Sequence, residues 1–173
     1  MALDISVVQA ISLLIFPAAM AFAASSDLLT MTISNRITIV LLAGFFVLAY
    51  AAGMSREQLI SHMGAGFLVL VVTFIFFARG WIGGGDAKLA SVTALWFGFD
   101  QLLEYALYAS LLGGVLTIVM IRFRLMQLPQ ALARQPWLQR LHQLDGGVPY
   151  GIALAAAALM IYPHTLWMKT LGL

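Results

Sequence analysis

Apolar residues along the chain crowd into six runs, at about 5–24, 37–53, 59–78, 87–99, 102–121 and 148–168, with short polar stretches between them. The runs are continuous rather than alternating, and most approach the ~20 residues a helix needs to cross a bilayer. They predict an all-α fold, a polytopic membrane bundle of six transmembrane helices, in a single integral-membrane domain over residues 1–173. The fourth run, with the core "LASVTALWFGF", is short. It crosses the hydrocarbon only if its helix begins near Asp86 and the bilayer thins or its flanks snorkel. The first run starts near Ile5 without the basic segment of a cleavable signal peptide, and it reads as a retained helix. The one long polar connection spans 122–147. After Pro136 its Trp137, Leu138, Leu141 and Leu144 recur at helical spacing, which predicts an amphipathic helix at the membrane surface.

Charge then orients the bundle. Only 9% of the 173 residues are charged, against the quarter or so usual in soluble domains, so membrane lipid is the expected surroundings. With six spans and both termini outside, the inner loops hold Arg36, Arg79, Lys88, Arg122, Arg124, Arg134 and Arg140, and only Arg56 and Lys169 fall outside. That split follows the positive-inside bias, whereas dropping the fourth span would export the arginine-rich 122–147 loop. Asp27, Asp86 and Asp145 then lie inside, and Asp4, Glu57, Asp100 and Glu104 outside. A net charge of +2 gives no reason to expect a nucleic acid partner. The absence of cysteine excludes structural disulfides, thiolate zinc sites and cysteine nucleophiles. His62, His142 and His164 stand on different predicted elements without metal-ligand spacing, so neither metal nor cofactor is expected.

The candidate chemistry lies in Asp27, just after the first run, and Asp86, just before the fourth. Ionisable groups at membrane depth are usually paired or placed at wet cavities. Two carboxylates that approach closely share a proton, one serving as base toward a water and the other as acid toward a carbonyl, which suffices to hydrolyse an amide. The alternative is that each aspartate borders a helix end, and Asp86 is well placed for that. Gly83, Gly84 and Gly85 precede Asp86. They suit a linker equally, but next to a carboxylate they would let backbone approach an extended substrate and pair with it like an added strand.

Three short motifs occur in order. Gly83, Gly85 and Asp86 form GxGD within "GGGDAKL"; Asp27 is followed by Ile33, Ser34 and Asn35; and "VPYG" spans Val148 to Gly151. Together they resemble the GxGD aspartic membrane proteases and, within them, the type IV prepilin peptidases. That family carries Ile-Pro-Asn where this chain has Ser34 in the middle position, so a stiff turn is lost but no catalytic group. The resemblance implies Asp27 and Asp86 as the catalytic pair, prepilin or pseudopilin substrates, and cleavage after a leader glycine at the cytoplasmic face of a bacterial inner membrane. Larger members carry an N-terminal insert with cysteine pairs, and many also N-methylate the new terminus. This chain is similar to the small branch serving tight-adherence, Flp-type pili, for which methylation is not an expectation.

Other residues carry two readings each. Lys88 could favour an ionised Asp86 or hold a substrate carbonyl, or simply snorkel. Asn35 could donate to the Asp27 region or serve as a turn residue. Asp145 heads "DGG" and reads as a turn. Gly64, Gly66, Gly113 and Gly114 read as sites of close helix packing. Two other functions stay open from the residues alone: a small proton-coupled transporter or channel, and a non-enzymatic membrane subunit of a pilus assembly system.

Overall fold

The computed structural model describes residues 5–129, 132 and 134–169, with side chains from Leu14 onward. Asp4 and the side chain of Lys169 lie outside the described residues. All regular structure described is helical: α1 (Ile5–Thr30), α2 (Asn35–Ala51), α3 (Arg56–Ala78), α4 (Gly84–Leu125), α5 (Pro136–His142), α6 (Tyr150–Ile161), a 3-10 turn at Tyr162–His164, and α7 (Leu166–Lys169). α3 and α4 are long and apolar enough to cross a membrane. The outer face of α3 exposes Phe67, Phe74 and Ile75. A helix that is apolar all round is soluble only in lipid or a protein core.

α1 runs further than its apolar composition indicates. The Ser25 hydroxyl donates to Ala21 O (2.8 Å) and Thr30 to Ser26 O (2.7 Å), so polar side chains are absorbed along the helix without ending it. Asp27 therefore stands on the last turn of α1, not in the following loop. The helix stops at Met31, whose φ of 55° is left-handed. Ser34 then caps α2, its hydroxyl accepting from Arg36 N–H at 3.3 Å. A serine replaces the stiff turn of a proline with a side-chain cap. α3 opens with a full capping box between Ser55 and Gln58.

The fourth and fifth apolar runs are joined more tightly than expected. No loop surrounds Asp100; helix extends on both sides of a single non-helical residue, Gly98, with φ 66° and ψ −174°. Only glycine adopts that conformation readily. The break removes the preceding carbonyls from a regular ladder, and in an apolar medium they need other donors. Leu95 O accepts from His62 Nδ1 (2.8 Å) and Trp96 O from Trp167 Nε1 (2.7 Å). Because a carbonyl only accepts, Nδ1 is the protonated nitrogen of His62. Trp96 in turn donates from Nε1 to Leu41 O (2.9 Å), tying α4 to α2. Phe16 packs on Trp96 and stacks on Tyr162, with centroids 5.0 and 4.5 Å apart. This aromatic cluster is the centre of the core.

The amphipathic helix forms as α5 but ends at His142, leaving Leu144 beyond it and exposed; Leu141 is its buried anchor. Arg124 holds this segment, donating to Leu141 O (3.0 Å) and Gly147 O (2.6 Å), while Arg140 reaches Leu29 O (2.9 Å) near the end of α1. Asp145 is exposed in a turn, as its Asp-Gly pair indicates. Gly66 packs against Leu95 and Gly64 against Phe99, while Gly113 meets Tyr150. Gly114 differs from the close-packing expectation, since nothing lies within 4 Å of where its side chain would be.

A Cβ at Gly98 would lie 3.0 Å from the His62 ring. Gly98→Ala should therefore destabilise the protein by about 3 kcal/mol through combined strain and clash. Gly53 has a φ of 65° but open surroundings, so Gly53→Ala should cost only about 1 kcal/mol. Unfolding of both variants in detergent, followed by circular dichroism, checks the difference.

Candidate functional site

The two candidate aspartates come from opposite ends of the first half of the chain, and each meets a helix N-terminus. The first N–H groups of a helix have no partner within it. Pro149 precedes α6, so the early N–H groups of that helix face outward from its start. Gly151 N–H donates to Asp27 Oδ2 at 2.7 Å, and the Asp27 side chain is buried, with 5% of its surface exposed. A carboxylate favours this position because the helix dipole presents partial positive charge there. Asp86 occupies the third helical position of α4, behind the cap residue Gly83, and its carboxylate turns back to the Gly83 backbone. The two carboxylates are near enough for the charge of one to act on the other. Asp86, but not Asp27, is on the wall of a half-open cavity of about 840 Å³. Val72 and Phe76 of α3, Tyr105 and Gly114 of α4, and Ala153 of α6 form other parts of that wall.

The glycine triplet opens a helix rather than an extended edge. Gly83 is the cap, and Gly84 and Gly85 are the first two helical residues. Their missing side chains are replaced by other groups of the same chain. A Cβ at Gly83 would meet Asp86 Oδ2 at 2.9 Å, at Gly84 the Phe77 ring at 3.2 Å, and at Gly85 the Ile33 Cβ at 3.1 Å. The positions that side chains would take at these glycines are bordered by groups of the same chain.

Lys88 and Asn35 come together, though not around either aspartate. Lys88 Nζ donates to Asn35 Oδ1 at 2.9 Å, so Asn35 is an acceptor, joining the start of α2 to α4. Two residues past Asp86, Lys88 is displaced by about 200° around the helix. It borders a second, smaller cavity of about 300 Å³ with Thr38 and Phe67. His62 is a core residue, and His142 bonds to Met126 O (2.8 Å). Among the described residues no group of three His, Cys, Asp or Glu side chains is arranged to hold a metal ion.

Two contributors to the site were not assigned from sequence. The Gly151 N–H is the direct partner of Asp27, and the "VPYG" motif was its only signal. Ile33 touches the positions of both Gly85 and Gly151. Its signal was membership of the Ile-Ser-Asn triplet.

The arrangement is a helical membrane bundle in which one carboxylate lies on the wall of an apolar cavity and the charge of a second acts on it. The chain belongs to the type IV leader peptidase family, whose profile matches residues 14–118. It is similar to a prepilin leader peptidase/N-methyltransferase of Dickeya chrysanthemi, with 34% identity over 86 residues. That stretch covers 47% of this chain and 30% of the relative's length. No solved structure matches the chain.

At Gly151 an added Cβ would fall 2.8 Å from Asp27 Oδ2 and 2.7 Å from Ile33 Cδ1. Gly151→Ala should consequently displace Asp27 and lower the melting temperature in detergent. Gly114→Ala, in open space, should leave it within a degree or so of wild type. Equal melting of the two variants would show that the Asp27 seat tolerates a side chain.

Proposed function

We propose that this protein is a membrane aspartic endopeptidase of the GxGD type that removes the short basic leader of prepilins or pseudopilins, with Asp27 and Asp86 as its catalytic pair. The observation that carries the reading is that Asp86 of α4 lies on the wall of an apolar cavity, within range of the charge of Asp27 from α1. One carboxylate accepts a proton from water as the oxygen attacks the scissile carbonyl. The other, holding the proton the pair shares, donates it to the carbonyl oxygen. Collapse of the tetrahedral intermediate passes a proton to the departing amine and frees the leader's carboxyl end. The apolar stem of the substrate lies in the 840 Å³ cavity. Two turns of helix about 10 Å across occupy about 850 Å³, so the volume suits such a segment.

In the same reading the domain spans residues 1–173, the six apolar runs cross the inner membrane of a bacterium, and the acids face the cytoplasm. The charge split between loops supports this orientation. Substrates are of the Flp type, and N-methylation is not part of the proposed activity. Gly83 to Gly85 shape the substrate cleft through the packing of the helix start that carries Asp86, while Lys88 and Asn35, a bonded pair beside the smaller cavity, act on substrate only outside the 840 Å³ cavity.

Co-expression with an Flp-type prepilin should yield a mass loss equal to the leader. Asp27→Asn and Asp86→Asn should each abolish that loss while the protein still accumulates in the membrane, and the double variant should be no worse than either single one. Asp145→Asn should retain activity, since Asp145 stands in an exposed turn. Wild-type processing by either single variant, or inhibition of the unmutated protein by a chelator, would sink the aspartic mechanism. A chain that never shortens the prepilin but dissipates a proton gradient would instead favour a transporter.

The orientation has its own measurement. Reporter fusions after Arg79 and within 126–140 should read cytoplasmic, and those near Met54 and Asp100 external. An external reading for 126–140 would overturn the six-span topology.

A further inference from the structure

Ile33 belongs to neither aspartate's helix, yet it lies between the segments that hold both. It sits in the short connection from α1 to α2. Its Cβ is 3.1 Å, and its backbone N 3.4 Å, from the point where a Gly85 side chain would begin. At the other end of the same side chain, Cδ1 is 2.7 Å from the corresponding point at Gly151. Gly85 immediately precedes Asp86, and Gly151 supplies the N–H that fixes Asp27. One side chain thus has each end seated in a glycine, one of them bonded to the residue that carries a carboxylate and the other hydrogen-bonded to a carboxylate.

We infer that Ile33 is a positioning residue, a spacer whose length sets the separation of the Asp27 and Asp86 carboxylates. The two seats must be glycine because the isoleucine already fills the space of their side chains. Ile33 lies between the N-termini of α4 and α6, which approach one another there only as far as the intervening side chain allows. Protein interiors are close-packed and do not deform freely, so removing atoms from the spacer moves the flanking helix ends or leaves a void. The first outcome shifts the acids relative to each other, and the second removes the contact that holds their separation. A pair that must share one proton is sensitive to that change, because misplacement by about 1 Å can reduce rate about a hundredfold.

As a claim about catalysis, this rests on the peptidase reading; as a claim about distance, it does not. The experiment therefore measures both. In the cysteine-free chain, Asp27→Cys together with Asp86→Cys gives a thiol pair whose capture by short bifunctional maleimides of graded length reports the separation. With Ile33 intact one linker length should dominate. Adding Ile33→Ala should shift or broaden the preferred length, and Ile33→Val, which keeps the Gly85 contact but lacks Cδ1, should shift it less. In the aspartate-containing protein, Ile33→Ala should lower kcat for prepilin cleavage about ten- to a hundredfold with KM within about twofold, and Ile33→Val should recover most of the rate. A fall confined to KM, or an unchanged linker preference in Ile33→Ala and Ile33→Val, would overturn the spacer role. If Ile33→Ala fails to accumulate, Ile33→Val decides by the same two readouts. If the wild-type chain cleaves no prepilin while the linker preference still shifts, the peptidase reading falls and the spacer stands.

Discussion

A peptide carbonyl or N–H without a partner in hydrocarbon costs several kcal/mol, and that constraint bears on the buried departures from helix described here. At three such places a specific group from a distant element satisfies the backbone. At Gly98 the carbonyls of Leu95 and Trp96 are met by His62 and Trp167. At the start of α6 the free N–H of Gly151 is met by Asp27. At Leu29, near the end of α1, the carbonyl is met by Arg140 from α5. These are also contacts between elements distant in sequence. Backbone satisfaction and tertiary assembly are therefore achieved by the same bonds.

The site inherits its character from that requirement. Asp27 is structurally a partner for a buried helix start, and Asp86 a return contact over its own cap. The bland role of each acid, bordering a helix end, and the chemical role do not exclude one another. Helix N-termini hold carboxylates in fixed positions at low cost in ordering, and two such termini facing each other bring two carboxylates together.

The helical class and the main runs were legible in the sequence because long apolar stretches admit few other structures. The motif residues were legible through family resemblance, and the chain's membership of the type IV leader peptidases accords with it. The boundaries were less so. Asp27 was placed beyond α1 because the apolar run ends near Ala24, but Ser25 and Thr30 turn their hydroxyls back onto the helix and let it continue. Gly98 passed unnoticed in "WFGFDQ" because a lone glycine in an apolar run also occurs in unbroken helices. The glycine triplet was legible as a place of close approach, but not that Ile33 and Phe77 are the groups that approach Gly85 and Gly84. Spacing along a chain cannot reveal which distant side chain fills a glycine's vacancy.

The Gly98 break bears on how the protein enters its membrane. The first part of α4, from Gly84 to the break, is 14 residues, or about 21 Å of helix against a hydrocarbon core of about 30 Å. Such a segment is a poor substrate for lateral release into lipid by itself. Its joint to the following helix is a single residue, with no polar loop to pause at. The two halves must therefore partition together, with the aromatic and histidine partners of the break already present or close behind. Biogenesis would then be ordered by the last helices of the chain, since Trp167 is translated after everything it completes.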